Sequence, residues 1–501
     1  MKTNTLDFDA QALRDRILDL AMRGKLVPQD PSDEPASVLL EKIKAEKAEL
    51  VKEKKIKKSK PLPEITDDEK PFDIPDSWEW VRLGEVGNYI QRGRSPKYDK
   101  KNKSHPIISQ KCVQWENIYL KDAKYITKTF FDKLEDYRFV QENDVLWNST
   151  GTGTVGRLNI VKQNLDHIPV DSHVTLIRMN KQVNPDYIYY YLRSPEIQDN
   201  LNDYLTGTTK QKELGLTNIL KVKIPLPPLS EQSRIAAKIA QLFALLRKVE
   251  TSTQQYAKLQ TLLKSKVLDL AMRGKLVKQD PNDEPASELL KKIKAEKAEL
   301  VKEKKIKKSK PLPEITYDEK PFDLPDSWEW VRLGNIVSYQ NGYAYKSSEL
   351  VKIRKGLPVI KSQNIMTLKV IIKDNNDYVK EPNEKMLNSK IIKGDLLMCL
   401  SSQSKNPEPL GKTAIYDLDK PALLNQRVLK LKLINHSMTD LIYYFINSSW
   451  FHFTVSHRGS GSGQSNLKLG DVMNMPIPVP PLNEEKHIVN RIEILFKKLS
   501  N

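Results

Sequence analysis

The chain has 501 residues, 29% of them charged, and Lys plus Arg exceed Asp plus Glu by 82 to 64, a formal net charge of +18. That length holds two hydrophobic cores with connecting helices, and the positive balance is the electrostatic footprint of a polyanion binder. Cys112 and Cys399 are too few and too dispersed for a disulfide framework or a cysteine-built metal cluster, which suits a reducing cytoplasm. No run approaches the roughly 18 apolar residues of a membrane-spanning helix, and MKTNTLDFDAQALRDR at the start lacks a signal peptide's apolar core.

In chain order, a helix is predicted at about 8–24, with Leu13, Ile17 and Leu20 on one face. A charged helix over 34–58 follows. Its apolar stripe of Leu39, Leu40, Ile43, Leu50 and Val51 is narrow, which predicts an arm on the surface. The run KEKKIKKSK at 52–60 reads as a solvated or partner-facing segment. Pro75-Asp76 forms a turn into the aromatic strand of PDSWEWVRLG, and 85–223 reads as a strand-rich head. Its strands lie in HPIIS, DVLWNST and HVTLIRM, separated by Gly, Asn, Asp and Lys turns.

After the stop at PLPP (225–228), Ser230–Arg273 contains neither Pro nor Gly. Ile235, Ile239, Leu242, Leu246, Val249, Tyr256, Leu263, Val267 and Leu270 mark a coiled-coil seam, with Thr253 and Gln260 as polar members. Ser230 is placed as the N-cap, and the helix should span roughly 65 Å at about 1.5 Å per residue.

The chain then repeats itself. Residues 17–84 return at 267–334 almost letter for letter, displaced by 250, bringing a second charged arm at 284–308 and a second basic run at 302–310. IPLPPLSEQSRIAAKIAQLF at 224–243 returns as IPVPPLNEEKHIVNRIEILF at 477–496, displaced by 253. These displacements set Asn501 opposite Lys248 and Met1 opposite Thr251, so the repeat is cut open inside the long helix. Its second copy is expected as two halves, 483–501 (N-cap Asn483; seam Ile488, Ile492, Leu495) and about 8–24, whose chain ends meet.

The second head, 335–476, keeps strand runs in LPVIKS, DLLMCLS and RVLKLKLI but little else. Surviving landmarks are Gly156 and Gly411, Gln211 and Gln464, and Leu214 and Leu467. The expected class is α+β: two strand-rich domains separated by a pair of long antiparallel coiled-coil helices with circular pseudo-two-fold symmetry. The expected boundaries are 1–27 (split helix), 28–80 (arm and linker), 81–229 (first head), 230–274 (central helix), 275–330 (arm and linker), 331–482 (second head) and 483–501 (split helix). An identical frame carrying two divergent heads is built to read two different things.

Catalytic motifs are missing from the sequence. GTGTVGRL (151–158) has the glycine spacing of a phosphate-binding loop, but Arg157 and Leu158 stand where Lys and Ser/Thr are needed, so it reads as a turn beside a nucleic-acid groove. The histidines at 105, 167, 173, 436, 452, 457 and 487 fall in no metal-ligand spacing and read as packing or hydrogen-bonding residues. The pairs at 227–228 and 480–481 lack the residues that amino-methyltransferases place around a flipped base, and no Gly-rich cofactor loop is present.

PDSWEWVRLG opening each head, IPLPPLSEQ-x-x-I and IPVPPLNEE-x-x-I closing them, the long helix after each and the circular repeat together resemble the specificity subunit of a type I restriction-modification system. The resemblance covers essentially the whole chain; Glu485 in place of Gln232 is one departure. It implies a non-catalytic subunit of the prokaryotic cytoplasm, at the nucleoid, whose two target-recognition domains each read half of a bipartite double-stranded DNA site. It implies a helical pair that sets the spacing and docks two adenine-N6 methyltransferase subunits, to which restriction subunits add. No cofactor is expected on this chain; S-adenosylmethionine, ATP and Mg²⁺ belong to the partners. Helix pairing or partner docking is assigned to Leu13, Ile17, Ile235, Ile239, Leu242, Leu246, Leu263, Val267, Ile488, Ile492 and Leu495.

Candidate DNA contacts in the first domain are Arg92, Arg94 and Lys97, then Gln110, Lys111 and Gln114, then Asn148, Thr150 and Thr152, then Lys210 and Gln211. In the second they are Asn341, Tyr343 and Lys346, then Lys361, Gln363 and Asn364, then Ser401, Gln403 and Lys405, then Arg458, Ser460 and Gln464. Two other classes stay open at this point. One is the specificity part of a single-chain restriction-methylation enzyme, which the missing motifs oppose. The other is a coiled-coil scaffold not acting on DNA, which leaves the charge and the divergent heads unexplained.

Overall fold

A computed structural model describes residues 9–163, 165, 167–207, 212–366, 368–401, 410–458 and 466–500, excluding the side chains of 456–458 and 500. The chain divides inside its longest helix into two compact units, Leu6–Thr253 and Gln254–Asn501. Met1 and Asn501, whose meeting the repeat predicts, lie outside the described residues.

In the N-terminal unit, α1 (Ala10–Met22) is capped by Asp9, whose carboxylate accepts the N–H groups of Gln11 and Ala12 at 3.0 Å. Leu18, Ala21 and Met22 of α1 and Leu39 and Ile43 of α2 (Ala36–Lys52) enter one core. The arm is therefore a surface helix whose narrow stripe packs on the body over its first half while its other faces stay wet. Lys47 fixes it further, donating to the carbonyls of Gly84, Glu85 and Gly87 at 2.9, 3.0 and 2.9 Å, and burial lowers its pKa.

The head contains β1 (Glu79–Arg82), β2 (Gly87–Arg92), β3 (Val145–Asn148), β4 (Leu158–Ile160), β5 (Val174–Met179), α3 (Pro185–Leu192) and β6 (Lys223–Leu226). An antiparallel sheet runs β2-β5-β3-β4. The two signature segments meet: β1 and β6 form an antiparallel ribbon with Trp80 opposite Pro225. Each strand of a two-stranded ribbon has a free edge, which is why proline is tolerated there. GTGTVGRL is the turn from β3 into β4, with Gly151, Gly153 and Gly156 at φ of +110°, +73° and +88°; it leads into a strand, not a phosphate-binding helix N-terminus.

The long helix α4 (Leu229–Met272) has 44 residues. It starts one residue before the predicted cap. Ser230 lies inside it and donates its hydroxyl to Asp33, while Pro228 supplies the first carbonyl, accepting the N–H of Gln232 at 2.9 Å. The predicted seam is packed only towards its ends. Ile235 and Ile239 are fully buried and Leu242, Leu246 and Val267 half-buried, but Val249, Tyr256 and Leu263 are exposed. Heptad spacing puts side chains on one face without supplying anything to cover it. Leu13, the repeat-mate of Leu263, is likewise exposed, whereas Ile17 is half-buried. Arg14 pairs with Glu250 at 2.5 Å and Gln29 bonds Glu231, so α1 and the segment after it run antiparallel to the first half of α4.

The C-terminal unit repeats this order with the second half of α4, α5 (Ala286–Lys302), β7 (Glu329–Arg332), β8 (Val337–Asn341), β9 (Leu396–Cys399), β10 (Thr413–Ile415), β11 (Val428–Leu433), α6 (Thr439–Ile446), β12 (Pro476–Val479) and α7 (Leu482–Ser500). Leu289 and Ile293 of α5 are buried as in α2. The sheet β8-β11-β9-β10 has the same order, and β7 pairs with β12, Trp330 opposite Pro478. This head adds a second sheet in which Leu357–Ile360 pairs with Tyr378–Val379 and, in parallel, with Ala422–Leu424. Ile488 and Ile492 of α7 are fully buried and Leu495 half-buried. Gln260 donates to the carbonyl of Leu499 at 2.5 Å and Lys264 lies 5.7 Å from the Phe496 ring, so α7 runs antiparallel to this half of α4. Asn483, like Ser230, is inside its helix and donates to Asp283 at 3.0 Å.

Each ribbon is locked to its helix by one carboxylate. Glu231 accepts the Trp78 indole N–H at 2.9 Å, and Glu484 accepts that of Trp328 at 2.9 Å. Burial raises both carboxyl pKa values, against the pull of these hydrogen bonds. Glu231→Ala should cost about 1–3 kcal/mol, the penalty of a buried donor left unpaired. Urea unfolding followed by tryptophan fluorescence would show it, and an unchanged midpoint would refute the lock.

Candidate nucleic-acid interface

In the N-terminal head, segments distant in sequence converge where β2 and β3 end and β5 begins. Gly93 donates its N–H to the Val174 carbonyl at 3.1 Å, Arg94 bridges Asp171, and Ser149 donates its N–H to the His173 carbonyl at 2.8 Å. Leu214 donates to the Ser149 carbonyl at 2.8 Å, and the Asn148 amide donates to the Gln110 carbonyl at 2.9 Å. A Cβ on Gly93 would lie 1.9 Å from the Val170 carbonyl oxygen, so this crossing requires glycine.

The C-terminal head builds the same crossing. A Cβ on Gly342 would lie 2.1 Å from the Asn425 carbonyl oxygen. Tyr343 bridges Asn425, Leu400 donates its N–H to the Arg427 carbonyl at 2.9 Å, and Leu467 donates to the Leu400 carbonyl at 2.8 Å. The two loop clusters therefore share one backbone plan.

Several predicted contacts are brought to these clusters but have other partners. Asn148 and Asn364 are fully buried and Ser401 nearly so; the asparagine amides bind main-chain carbonyls of neighbouring loops, Asn364 bonding Ile371 at 2.9 Å. These residues build the loops and are withdrawn as base contacts. Arg92 pairs with Glu213 and donates to the Leu214 carbonyl at 2.8 Å, a structural clasp. Arg94 pairs with Glu135 at 2.9 Å; the Glu135 carboxyl is held below its usual range by its own backbone N–H, then by Arg138 and Arg94. Lys361 pairs with Asp377, which also holds Lys352 at 2.8 Å; the two lysines outweigh burial and lower its pKa.

Gln114 accepts from Arg157 at 2.7 Å, and Gln110 is half-buried against Gly151. Tyr343 packs on Tyr345 with ring centroids 4.9 Å apart. Lys97, Lys111, Thr152, Asn341, Lys346 and Gln363 are exposed. Lys210, Gln211, Gln403, Lys405, Ser460 and Gln464 lie outside the described residues, as does the Arg458 side chain.

The segment before each central strand carries no candidate contact in the sequence, where His173 reads as a packing or hydrogen-bonding residue. Asp171, Ser172 and His173 precede β5 and Asn425, Gln426 and Arg427 precede β11, each set inside its cluster. His173 Nδ1 lies 2.5 Å from the Thr150 hydroxyl. Asp171 is buried; one carboxylate oxygen accepts the His173 N–H at 2.9 Å, the other has no partner, and burial raises its pKa. In the other head Asn425 makes the corresponding bond to the Arg427 N–H at 3.4 Å. The usable signal was register: His173 stands immediately before HVTLIRM's strand and Arg427 immediately before RVLKLKLI's. Among the described residues no group of His, Cys, Asp and Glu is arranged to hold a metal ion, and no helix is long and apolar enough to cross a membrane.

The family model for the type I restriction modification DNA specificity domain matches twice, over residues 75–260 and 325–501, and the chain belongs to that family. It is 34% identical to the type I restriction enzyme EcoAI specificity subunit of Escherichia coli, over 98% of this chain and 89% of that protein. The EcoEI specificity subunit of the same species is 31% identical with the same coverage. A chain from a structure of the assembly and conformational transition of the type I R-M system shares the fold, with a TM-score of 0.54, 20% identity, and coverage of 86% of this chain and 93% of that one.

Proposed function

We propose that this chain is the non-catalytic specificity subunit of a type I restriction-modification complex, acting in the cytoplasm, each head reading one half of a bipartite double-stranded DNA site. The observation that supports it is one backbone plan bearing different candidate readers: Ser172 and His173 in one head, Gln426 and Arg427 in the other, held in place by Asp171 and Asn425. Arginine can fork onto guanine, histidine and serine make single hydrogen bonds, and exposed lysines such as Lys97 and Lys346 serve phosphates. The helical segments dock two adenine-N6 methyltransferase subunits, to which restriction subunits add; S-adenosylmethionine, ATP and Mg²⁺ act in those partners.

The test is methylation by the co-expressed complex on duplexes with one altered half-site. His173→Ala should relax one half-site by about 1 kcal/mol, roughly fivefold, the low end of the range for a base contact because imidazole makes a single hydrogen bond, and leave the other unchanged. Arg427→Ala should do the converse. Lys97→Ala should weaken all sequences alike and flatten the salt slope by about one. Equal loss at both half-sites for the His173 and Arg427 changes would sink separate reading.

A further inference from the structure

The identical stretches 60–66 and 310–316, with the segments that follow, form one cleft in each unit. In the N-terminal unit an open cleft of about 490 Å³ lies between the linker from Pro63 and the ribbon strand at Trp80. In the C-terminal unit the corresponding segment, from Leu312 to Asn335, lines a cleft of about 820 Å³. A buried arginine ties each linker to its head: Arg82 donates to the carbonyls of Pro63, Glu64 and Lys221, and Arg332 to those of Pro313, Glu314 and Asn474. The clefts are therefore built features of each unit.

Their chemistry opposes that of the whole molecule. The first is lined by Glu64, Asp73, Asp76, Glu79 and Glu85 against Lys70. Asp73 and Asp76 are exposed, and among the described residues neither has an ion-pair partner. The apolar side is Phe72 edge-on to Trp80 with ring centroids 5.1 Å apart, repeated as Phe322 and Trp330 at 5.1 Å. The Trp80 indole N–H is buried without an acceptor. On a chain of net charge +18, these acidic clefts repel a phosphate backbone and attract a cation next to apolar surface. Their volumes suit a few side chains, not a folded domain.

We propose that each cleft takes a lysine- or arginine-bearing segment of a methyltransferase subunit, one copy of the subunit per cleft. The proposal rests on the reading that such subunits bind this chain, and adds a docking site distinct from the helical seam. The second cleft has Asn335 where the first has Glu85, so the first holds its segment more tightly.

The full chain is co-expressed with its methyltransferase and the complex weighed by native mass spectrometry, with titrations for affinity. The unaltered chain should carry two methyltransferase copies, Asp73→Lys with Asp76→Lys one copy, and those changes with Asp323→Lys and Asp326→Lys none. Each reversed cleft should bind at least tenfold more weakly, at an unchanged melting temperature. Two copies retained by the fourfold variant would overturn the cleft proposal alone. Loss instead of a dimer of this chain, with methyltransferase uptake unchanged, would overturn it in favour of the basic run 52–60 of a second copy. An unaltered chain that takes up no methyltransferase would remove the proposed function and this site together.

Discussion

Replacing Asp144 by alanine is expected to destabilise the N-terminal unit by about 3–5 kcal/mol, the range for stripping one partner from a buried ion pair. Asp144 is buried at the start of β3, accepts from Arg178 of β5 at 2.8 and 2.7 Å, and accepts the Gln141 N–H at 2.7 Å. Burial raises its pKa by more than Arg178 and Gln141 lower it, so the pair is no large net stabiliser. The loss comes from the guanidinium left uncompensated. The C-terminal unit has the same device in Asp395 and Lys430, at 2.7 Å. Asp395→Ala should cost less, because the compact ammonium of lysine can reach water more readily than an arginine also tied to the Tyr137 and Phe139 carbonyls. Hydrogen exchange resolved to β3 and β9 would measure both; a loss under 1 kcal/mol for Asp144→Ala would refute the account.

Glu485→Gln is expected to stabilise the C-terminal unit, increasingly as pH rises above 4.5 and to its full extent above about 7. Gln232, at the same place in the other unit, has a partner at both polar atoms: its oxygen accepts the Asn184 N–H at 2.8 Å and its amide donates to the Pro227 carbonyl at 2.8 Å. Glu485 is buried with one oxygen unpartnered, and burial together with nearby Asp440 pushes its pKa from 4.5 up to about 7. A carboxyl raised in the folded state favours folding least when ionised. Stability should therefore fall as pH rises from 4.5 through 7, by about 3 kcal/mol in all. Glu485→Gln should remove that slope and leave stability below pH 4.5 nearly unchanged, while Gln232→Glu should install it in the N-terminal unit. Unfolding midpoints at pH 5 and pH 8 decide it; parallel pH curves for the Glu485→Gln variant and the unaltered chain would refute it.

The repeat and the α+β class were legible because they depend on order along the chain, whereas the pairing of PDSWEW with IPLPP, about 140 residues apart, came only from the fold. A nearly exact internal repeat forces two similar units, and Pro-Pro before a long Gly-free, Pro-free run marks a helix start whatever surrounds it. Apolar spacing likewise placed Ile235, Ile239, Ile488 and Ile492 on buried faces. What spacing could not say was where cover ends. Leu13, Tyr256 and Leu263 obey the same periodicity and are exposed, because exposure depends on what the head places beside the helix.

The site divided in the same way. Composition and divergence pointed to the heads as the place to look for readers, and loop residues such as Lys97 and Gln363 are exposed. Asn148, Asn364 and Arg92 look the same in sequence as free contacts, yet the fold brings a carbonyl or carboxylate from a distant loop to each, and a donor already bound inside the head gains little by meeting DNA. His173 and Arg427 were unremarkable letters until the glycine crossings at 93 and 342 set them among the other loops. The sequence by itself determined the duplicated frame, its helices and the sign of the charge, because local periodicity and composition suffice for those. Only tertiary structure decided which polar side chains are satisfied and which are presented, because hydrogen-bond partners come from residues tens to hundreds of positions away.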